Sequence, residues 1–433
     1  MDNLSLKLLC DSTYLPVVLS FAEKACEAFG LGRKEIFAVR LSAEEIFTYL
    51  CRTIREKNVE IICKNCGYCI ELTFLFKGEI SLKVFNLTSS VSPDRKTDLD
   101  EMGLLIVSRL VDSFKILKNQ DGTMSLVLVK DRIYPESGSD LEKVCFEKSD
   151  SFSIRKPNNE EIKIFASSAC CMYNDTGVPD FFRFPGKLVD MVQYADYSAL
   201  VAADEKNQII GGILWHWSSR KLIEFSGPFV FKKDFDESVD EQLVISFLEA
   251  VGKSDAIGVY SRLWPETLSS EYFEIIGELP VYDDESSKKT IPVCFRQLKE
   301  DTGAVSWAFP SLKQFLEKIY HKLFLPRKIE TVSDMGETMP ENSVLSVDFS
   351  RFQQAATLKI IMPGKDIDQN IADHIKLITK ESYGNVFFEL DLGIPEHAYS
   401  VDALIKNRFM PALLVPCAGT GDIAVFVRRP DEH

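Results

Sequence analysis

The stretch FAVRLSAEEIFTYL, residues 37–50, carries two adjacent carboxylates inside a run of apolar residues at helical spacing. That spacing extends over residues 34–57 and predicts one long amphipathic helix. A carboxylate followed four residues later by an asparagine would share one helix face and could serve a magnesium-nucleotide site. Here Glu45 is followed by Tyr49, so the stretch keeps the carboxylate and has a phenol in place of the metal ligand.

The elements on either side of this helix predict the fold of the first 134 residues. A second amphipathic helix precedes it at residues 14–29. The segments that follow are three strands, a polar loop, a helix and a hairpin: Val59–Asn65, Tyr68–Phe76, Glu79–Asn86, 87–100, 103–114 and 114–131. This order predicts an α/β sandwich, with one mixed sheet and helices on one face, as a domain at residues 1–134.

The composition indicates a soluble protein of several domains. The chain has 433 residues, 45% of them hydrophobic and 27% charged, and no apolar run reaches the length of a membrane helix. The net charge of −15 disfavours nucleic acid as a partner, because a phosphate backbone is bound by clustered Lys and Arg. Eleven cysteines and no recognisable signal peptide are typical of a reducing cytoplasm. We therefore expect a cytoplasmic protein without nucleic-acid or membrane partners.

The cluster CKNCGYC contains Cys63, Cys66 and Cys69 and has two interpretations. An iron–sulfur site would need another cysteine where Thr73 stands, and a zinc site would need a ligand from elsewhere in the chain. A β-hairpin requires only the β-rich flanks VEIICKN and YCIELTFLF, with Gly67 at the turn between them. The hairpin is favoured, and no metal site is predicted.

The rest of the chain predicts a second α/β region followed by a partial copy of it. Residues 135–158 are polar and indicate a linker. Residues 159–305 alternate as helix, three strands, helix, strand, helix and strand, with the last helix at LSSEYFEIIGEL, residues 268–279. A bridging helix lies within residues 306–339. Residues 340–433 then repeat the later part of this pattern without its front strands.

Residues 4–131 resemble the ATPase domain of anti-sigma factor serine kinases and histidine kinases, the GHKL superfamily. The helix FAVRLSAEEIFTYL is similar to the family's Glu-x-x-x-Asn helix, and SLKVFNLTSSVSP to its strand entering an Asp-x-Gly turn. DEMGLLIVSRLVDSF resembles its Gly-x-Gly lid, and DGTMSLVLVKD its closing Gly-Thr strand. The resemblance implies an ATP or ADP pocket formed by Glu45, Asn86, Gly103 and Thr123. It also implies a sigma factor or a STAS-domain antagonist as the protein partner.

The chain departs from this family at four positions of the pocket. Tyr49 replaces the magnesium ligand, and a phenol is a poor ligand for a hard cation. Asn86 replaces the aspartate that reads the adenine amino group, Thr88 replaces the turn glycine, and Glu101 replaces the first lid glycine. Four coordinated losses predict a retained fold without magnesium-dependent hydrolysis. Binding of adenine nucleotide without magnesium stays open.

Residues 159–300 resemble a GNAT acyltransferase in the order of their elements and in LVAADEKNQIIGGIL, which is similar to that family's second and third strands. The resemblance implies acyl-CoA as a ligand, held near Phe229, Val230, Phe231 and Ser238. The loop that should bind its pyrophosphate, FKKDFDESVDEQL at 231–243, has no glycine and repels phosphate with its acids. These five acids are Asp234, Asp236, Glu237, Asp240 and Glu241.

His216 and Tyr272 are the two catalytic candidates of this region. Many members of the family protonate the departing thiolate with a tyrosine of the next helix. Here Phe273 takes that place, and Tyr272 is predicted to point about 100° away around the helix. His216, between two tryptophans in LWHWSS, could act as a base or could pack as a structural histidine.

These patterns favour a bacterial cytoplasmic regulatory protein over an enzyme. Its degenerate anti-sigma-kinase-like domain would bind a protein partner, and a small molecule in the GNAT-like region would bias that association. No cofactor is required in this interpretation, and adenine nucleotide and acyl-CoA are the ligands that the two resemblances imply. The alternative is an N-acyltransferase that uses acyl-CoA and is regulated by the first domain, which ranks ahead of a serine kinase or ATPase.

Overall fold

The computed structural model describes most of the chain. The described residues are 2–54, 57–78, 86, 103–104, 106–118, 121, 123–137, 151–173, 177–232, 238–262, 271–282, 288–332, 339–350, 355–381 and 383–429. They form two compact units. The first comprises Met1–Tyr134, Met339–Ser346 and Ile360–His374, and the second comprises Pro135–Thr338, Val347–Lys359 and Ile375–His433.

The first unit is built on a five-stranded sheet and two long helices, α1 (Leu15–Ala28) and α2 (Arg33–Thr53). The strands are β1 Asn3–Leu9, β2 Asn58–Asn65, β3 Cys69–Lys77, β4 Ser113–Lys118 and β5 Thr123–Asp131. They lie in the order β1-β2-β3-β5-β4. Alternate residues of β2 and β3 are buried, so one face of the sheet packs on the core while the other is more open.

The α/β class is confirmed, and so are both helices and the hairpins β2–β3 and β4–β5. Strand β1 is not among the predicted elements, although Leu4, Leu6 and Leu8 alternate with polar residues in NLSLKLL. Every pairing among these five strands is antiparallel, so the expectation of a mixed sheet is wrong for the described strands. The helix expected over 103–114 gives way to β4 at Ser113. The strand expected at Glu79–Asn86 lies outside the described residues except for Asn86.

The cysteine cluster lies at the β2–β3 turn, as the hairpin interpretation predicts. The Cys66 amide donates to the Cys69 carbonyl at 3.0 Å, and Gly67 supplies the left-handed φ of +82° that the turn requires. A hydrogen bond with Cys26, together with burial, raises the pKa of the Cys63 thiol. Within the described ranges, no group of three His, Cys, Asp or Glu side chains is arranged to hold a metal ion.

A seven-stranded sheet forms the larger part of the second unit. Its strands are β6 Phe152–Arg155, β7 Tyr197–Asp204, β8 Ile209–Trp217, β9 Leu222–Val230, β10 Gly258–Ser261, β11 Glu274–Tyr282 and β12 Lys288–Gln297. Their order is β11-β12-β10-β9-β8-β7-β6. The helices that accompany them are α3 Asn159–Met172, α4 Pro185–Gln193 and α5 Val239–Gly252. Only β9 and β10 pair in parallel, with α5 as the crossover between them.

The β9–β10 pair is short, and this positions the candidate site. Parallel pairing joins Leu222–Glu224 to Gly258–Tyr260, and beyond Glu224 strand β9 pairs only with β8 among the described strands. Among the described strands, none pairs with the main-chain groups on the β10 side of the later part of β9.

Two expectations for this region are corrected. Residues 274–279 belong to strand β11, and Glu271 and Tyr272 lie in a turn, so the helix predicted at 268–279 is wrong in its described part. These residues form a strand because Ile275–Tyr282 pairs with β12 over most of its length and because β-branched residues favour strands. The predicted linker 135–158 contains strand β6, which pairs with β7.

A parallel pair of strands flanks the predicted bridging helix, α6 (Pro310–Lys322). These strands are β13 Ala304–Ala308 and β14 Arg327–Thr331. At the start of β14, the Arg327 side chain is 1% exposed and lies between two carboxylates. Its Nη2 is 2.7 Å from Asp301 Oδ2 and its Nε is 2.7 Å from Asp422 Oδ2.

The C-terminal sheet repeats the arrangement of the seven-stranded sheet. Its strands are β15 Val344–Ser350, β16 Ala355–Met362, β17 Asn385–Asp391, β18 Phe409–Val415 and β19 Ile423–Arg428. The order β15-β16-β17-β19-β18 corresponds to β8-β9-β10-β12-β11, and β16 and β17 are again the parallel pair. Helix α7 (Ile367–Lys380) is the crossover, equivalent to α5. The partial repeat expected from the sequence is therefore present in the topology.

The free edges of the two sheets meet within the second unit. Gly277 of β11 faces Leu413 of β18, and a Cβ on Gly277 would lie 2.5 Å from the Leu413 Cβ. The two strands remain in separate sheets. Among the helices of the described residues, none is both long and apolar enough to cross a membrane.

Candidate functional sites

Glu45 and Gly103, two of the predicted nucleotide-site residues, lie against each other in the first unit. A Cβ on Gly103 would overlap the Glu45 carboxylate, so the glycine makes room for that side chain. Burial raises the pKa of Glu45, and the neighbouring Glu44 adds to this effect while Arg52 opposes it. Tyr49, at the position where the family resemblance implies a metal ligand, is half-buried and packs against the hydrophobic core.

Asn86, the predicted adenine reader, is buried and bonded to the protein's own chain. Its Nδ2 donates to the Ser343 carbonyl at 2.9 Å, and its Oδ1 accepts from the Leu345 amide at 2.8 Å. Asn370 Nδ2 also reaches Asn86 Oδ1 at 3.3 Å. Both ends of the Asn86 amide are thus engaged by residues more than 250 positions later in the sequence.

The segment that Asn86 binds is held from its other side as well. Asp366 Oδ1 accepts from the Ser343 hydroxyl at 2.7 Å and from the Ser343 amide at 2.5 Å. Asn370 Nδ2 donates to the Ser343 carbonyl at 3.1 Å. Gly364 lets the backbone of Asn342 and Ser343 approach, because a Cβ there would lie 2.7 Å from the Asn342 oxygen and closer to other backbone atoms.

Thr123, the last of the predicted nucleotide-site residues, is the first residue of β5. Its amide and hydroxyl both donate to Asp121, at 3.0 and 2.8 Å. These are the hydrogen bonds of the hairpin turn before β5, and they lower the pKa of Asp121. The structure therefore brings Glu45 and Gly103 together, while Asn86 and Thr123 are engaged in other contacts. Thr88 and Glu101 lie outside the described residues.

The predicted acyl-CoA residues at the end of β9 and just beyond it are largely committed to the interior of the second unit. Phe229 and Phe231 are 2% and 5% exposed and join an aromatic cluster around Phe165. The Tyr173 hydroxyl accepts from the Val230 amide at 2.6 Å and donates to the Val230 carbonyl at 3.1 Å. These two main-chain groups are the ones that an extended ligand could otherwise use beside β9.

The predicted phosphate end of this site is only partly described. Ser238 precedes α5, and its hydroxyl bonds to the Asp240 side chain rather than to a backbone amide of the helix. Tyr272 is half-buried and donates to Glu241 at 2.8 Å, and this hydrogen bond raises the pKa of Tyr272. Both side chains are therefore directed to carboxylates of α5. Asp234, Asp236 and Glu237 lie outside the described residues.

His216 belongs to a polar cluster where β8, β9 and β10 run side by side. Strand register places Glu224 beside both His216 and Tyr260. Tyr260 donates to Glu224 at 2.8 Å, and His216 Nε2 lies 3.9 Å from the same carboxylate. The His216 ring packs on Tyr197 with centroids 4.6 Å apart. Burial lowers the pKa of His216, and Glu224 opposes this effect. The lowered pKa favours a neutral imidazole that can accept a proton.

A partly buried charge network continues from this cluster within the second unit, with Glu389 as its most buried member. Arg262 donates to Glu389 at 2.5 Å, and its Nε lies 3.9 Å from Glu224. Glu389 also pairs with Lys359, its register neighbour on β16, at 3.3 Å. Burial alone would raise the pKa of Glu389, but Arg262 and Lys359 outweigh it and lower the pKa to about 2. The last parallel pairs of the two sheets, Glu224–Tyr260 and Lys359–Glu389, are thus linked through Arg262.

Sequence reasoning missed Glu224, Arg262 and Glu389. The available signal was a carboxylate inside an apolar strand, Glu224 in LIEFSGPFV and Glu389 in NVFFELD. An ionised residue in such a position is rarely buried without a partner. Its partners, however, come from distant strands and are not adjacent in the sequence.

Comparison with solved structures finds GNAT acetyltransferases over about a third of the chain. A GNAT-family acetyltransferase from Staphylococcus aureus Mu50 is 12% identical, covering 34% of this chain and 100% of its own, with a TM-score of 0.27. An aminoglycoside 6'-N-acetyltransferase complexed with coenzyme A is 13% identical, covering 34% and 98%, with a TM-score of 0.27. The RsbU and RsbW domains of a Mycobacterium tuberculosis protein are 10% identical, covering 31% and 34%, with a TM-score of 0.23.

No family model matches the chain, and no curated protein matches it. The likenesses to solved structures have low identities and TM-scores below 0.5, so they do not identify a function.

Proposed function

We propose that this protein is a regulatory protein that acts by binding protein partners, and that its first unit is a former nucleotide-binding domain. The observation that carries the proposal is the hydrogen bonding of the Asn86 side-chain amide. Both ends of its amide, the group assigned to adenine by resemblance, are bonded to Ser343, Leu345 and Asn370. A nucleotide would have to displace these buried contacts, and leaving them unpaired costs free energy.

One further feature supports a loss of catalysis. Tyr49 packs on the core where a magnesium ligand would be needed, and a phenol is a poor ligand for a hard cation. A sigma factor or a STAS-domain antagonist is the partner class that the family resemblance suggests, and a cytoplasmic location accords with the cysteine content.

The test is nucleotide binding and hydrolysis by the full-length protein. We expect no rise in melting temperature with ATP, with or without magnesium, because a ligand stabilises a protein only by binding its native state. We also expect no hydrolysis above that of the matched variant Glu45→Gln. Magnesium-dependent hydrolysis that Glu45→Gln abolishes would overturn the proposal.

A second candidate function, N-acyl transfer from acyl-CoA, is favoured by the cluster of His216, Glu224 and Tyr260. A neutral imidazole near a carboxylate is suited to general-base catalysis. The Tyr173 hydroxyl opposes this function, because it engages both main-chain groups of Val230. Thiol release from acetyl-CoA in the presence of amines, abolished by His216→Ala and retained in the matched surface variant His321→Ala, would establish the enzyme.

A further inference from the structure

Asn86 binds the 343–345 segment, which leads into strand β15 at Val344, in the way that a side-chain amide reads an extended peptide. It donates to the carbonyl of Ser343 and accepts from the amide of Leu345, two main-chain groups on the same edge of that segment. Such a paired contact recognises backbone direction and extension. It would be made equally with an extended segment of another chain, because no side chain of the segment takes part in it.

The segment also supplies an apolar anchor and a polar contact. Val344 is fully buried and belongs to the hydrophobic core of the first unit. Ser343 is fully buried too, and its hydroxyl and amide both donate to Asp366. Asn86 and its surroundings therefore bind an extended tripeptide. Its first residue carries a hydroxyl, its second is apolar, and the main-chain amide of its third donates to Asn86.

We propose that the first unit contains a peptide-binding site around Asn86, occupied in cis by the 343–345 segment and available in trans to a protein partner. The partner's chemistry is an extended segment with a serine or threonine followed by an aliphatic residue. This inference rests on the proposed function, since it names the kind of partner that replaces nucleotide. The cis segment competes at the high effective concentration of a tethered ligand, so a partner binds only when that segment is weakened or displaced.

The test uses a fluorescent peptide of residues 340–347, PENSVLSV, and the full-length protein. Val344→Ala in the protein shortens the cis anchor and leaves Asn86 unchanged. We expect the peptide to bind this variant about tenfold or more tightly than the wild type in fluorescence anisotropy. The same peptide with Leu345→Pro lacks the amide that donates to Asn86, and we expect it to bind neither protein.

A second protein variant locates the site. Adding Asn86→Ala to the Val344→Ala protein removes the paired contact, and we expect peptide binding to be lost. Hydrogen exchange of the wild-type protein provides a measurement that needs no weakened variant. Saturating peptide should speed exchange of the cis Leu345 amide, and the Leu345→Pro peptide should leave it unchanged.

Equal binding of the two peptides, or equal binding to wild type and Val344→Ala, would overturn the inference. Peptide binding that survives Asn86→Ala would also overturn it, because the contact would then lie elsewhere. If Val344→Ala fails to fold, unchanged exchange at Leu345 in the wild type decides against the proposal by itself. Failure of the proposed function appears instead as nucleotide hydrolysis, which these peptide measurements do not detect.

Discussion

Replacing Gly364 by alanine should loosen the 343–345 segment from the first unit. The new Cβ would lie 2.7 Å from the Asn342 oxygen and even closer to the backbone of Ser343, so the neighbouring backbone has to shift. Overpacking of this kind costs about 1–3 kcal/mol. The hydrogen bonds of Ser343 to Asp366 and of Leu345 to Asn86 weaken with that shift, at about 0.5 kcal/mol each. We expect a total loss of about 2–4 kcal/mol in local stability.

Hydrogen exchange at the Leu345 amide measures this loss directly, because that amide is protected by its bond to Asn86. A change of about 2–4 kcal/mol corresponds to exchange about 30- to 700-fold faster. Gly384→Ala is the matched control, since no atom lies within 4 Å of its added Cβ. We expect exchange at Leu345 to be unchanged in the control.

Exchange at Leu345 that stays within about threefold of the wild type in Gly364→Ala would refute this reasoning. It would mean either that the segment is not packed against Gly364 or that its hydrogen bonds contribute nothing to protection. Far-ultraviolet circular dichroism of both variants shows whether the effect is local, because unfolding of the whole first unit would lower the helical signal of α1 and α2.

Two further predictions concern the second unit. Arg327→Met should lower the free energy of unfolding by about 3–5 kcal/mol in chemical denaturation, because it leaves Asp301 and Asp422 as buried carboxylates without their cation. A triple variant that also carries Asp301→Asn and Asp422→Asn should recover most of that loss, and no recovery would contradict the explanation. Glu389 has a folded-state pKa of about 2, below its ordinary 4.5, so its stabilisation is complete above about pH 4.5 and is lost as the pH falls toward 2. That loss amounts to at most about 3 kcal/mol, and Glu389→Gln should flatten the fall in unfolding free energy over this window, whereas an unchanged slope would show that other groups cause it.

The fold was largely accessible from the sequence where periodicity is strong. Helices α1 and α2, the two hairpins of the first unit and the repeat of the C-terminal sheet follow from helical spacing, alternation and turn residues. Strand β11 was missed because EYFEIIGEL fits a helical stripe as well as a strand. Its pairing with β12, a tertiary interaction, decides between the two.

The candidate sites divide in the same way. From residue types alone, Tyr49 and the loop acids predict a poor fit to magnesium and to phosphate, since a phenol is a poor ligand for a hard cation and carboxylates repel phosphate. That Asn86 is occupied by the chain itself could not be foreseen, because Ser343 and Leu345 lie more than 250 residues away in the sequence.

The sequence by itself determined most helices and hairpins of the first unit and the repeat of the C-terminal sheet, because these depend on local spacing and turn residues. Only the tertiary structure decided which partners the buried polar groups meet. Asn86 meets the 343–345 segment, Tyr173 meets Val230, and Arg262 joins Glu224 to Glu389. Each of these contacts forms because a buried polar group must find a partner, and folding brings that partner from a distant part of the chain.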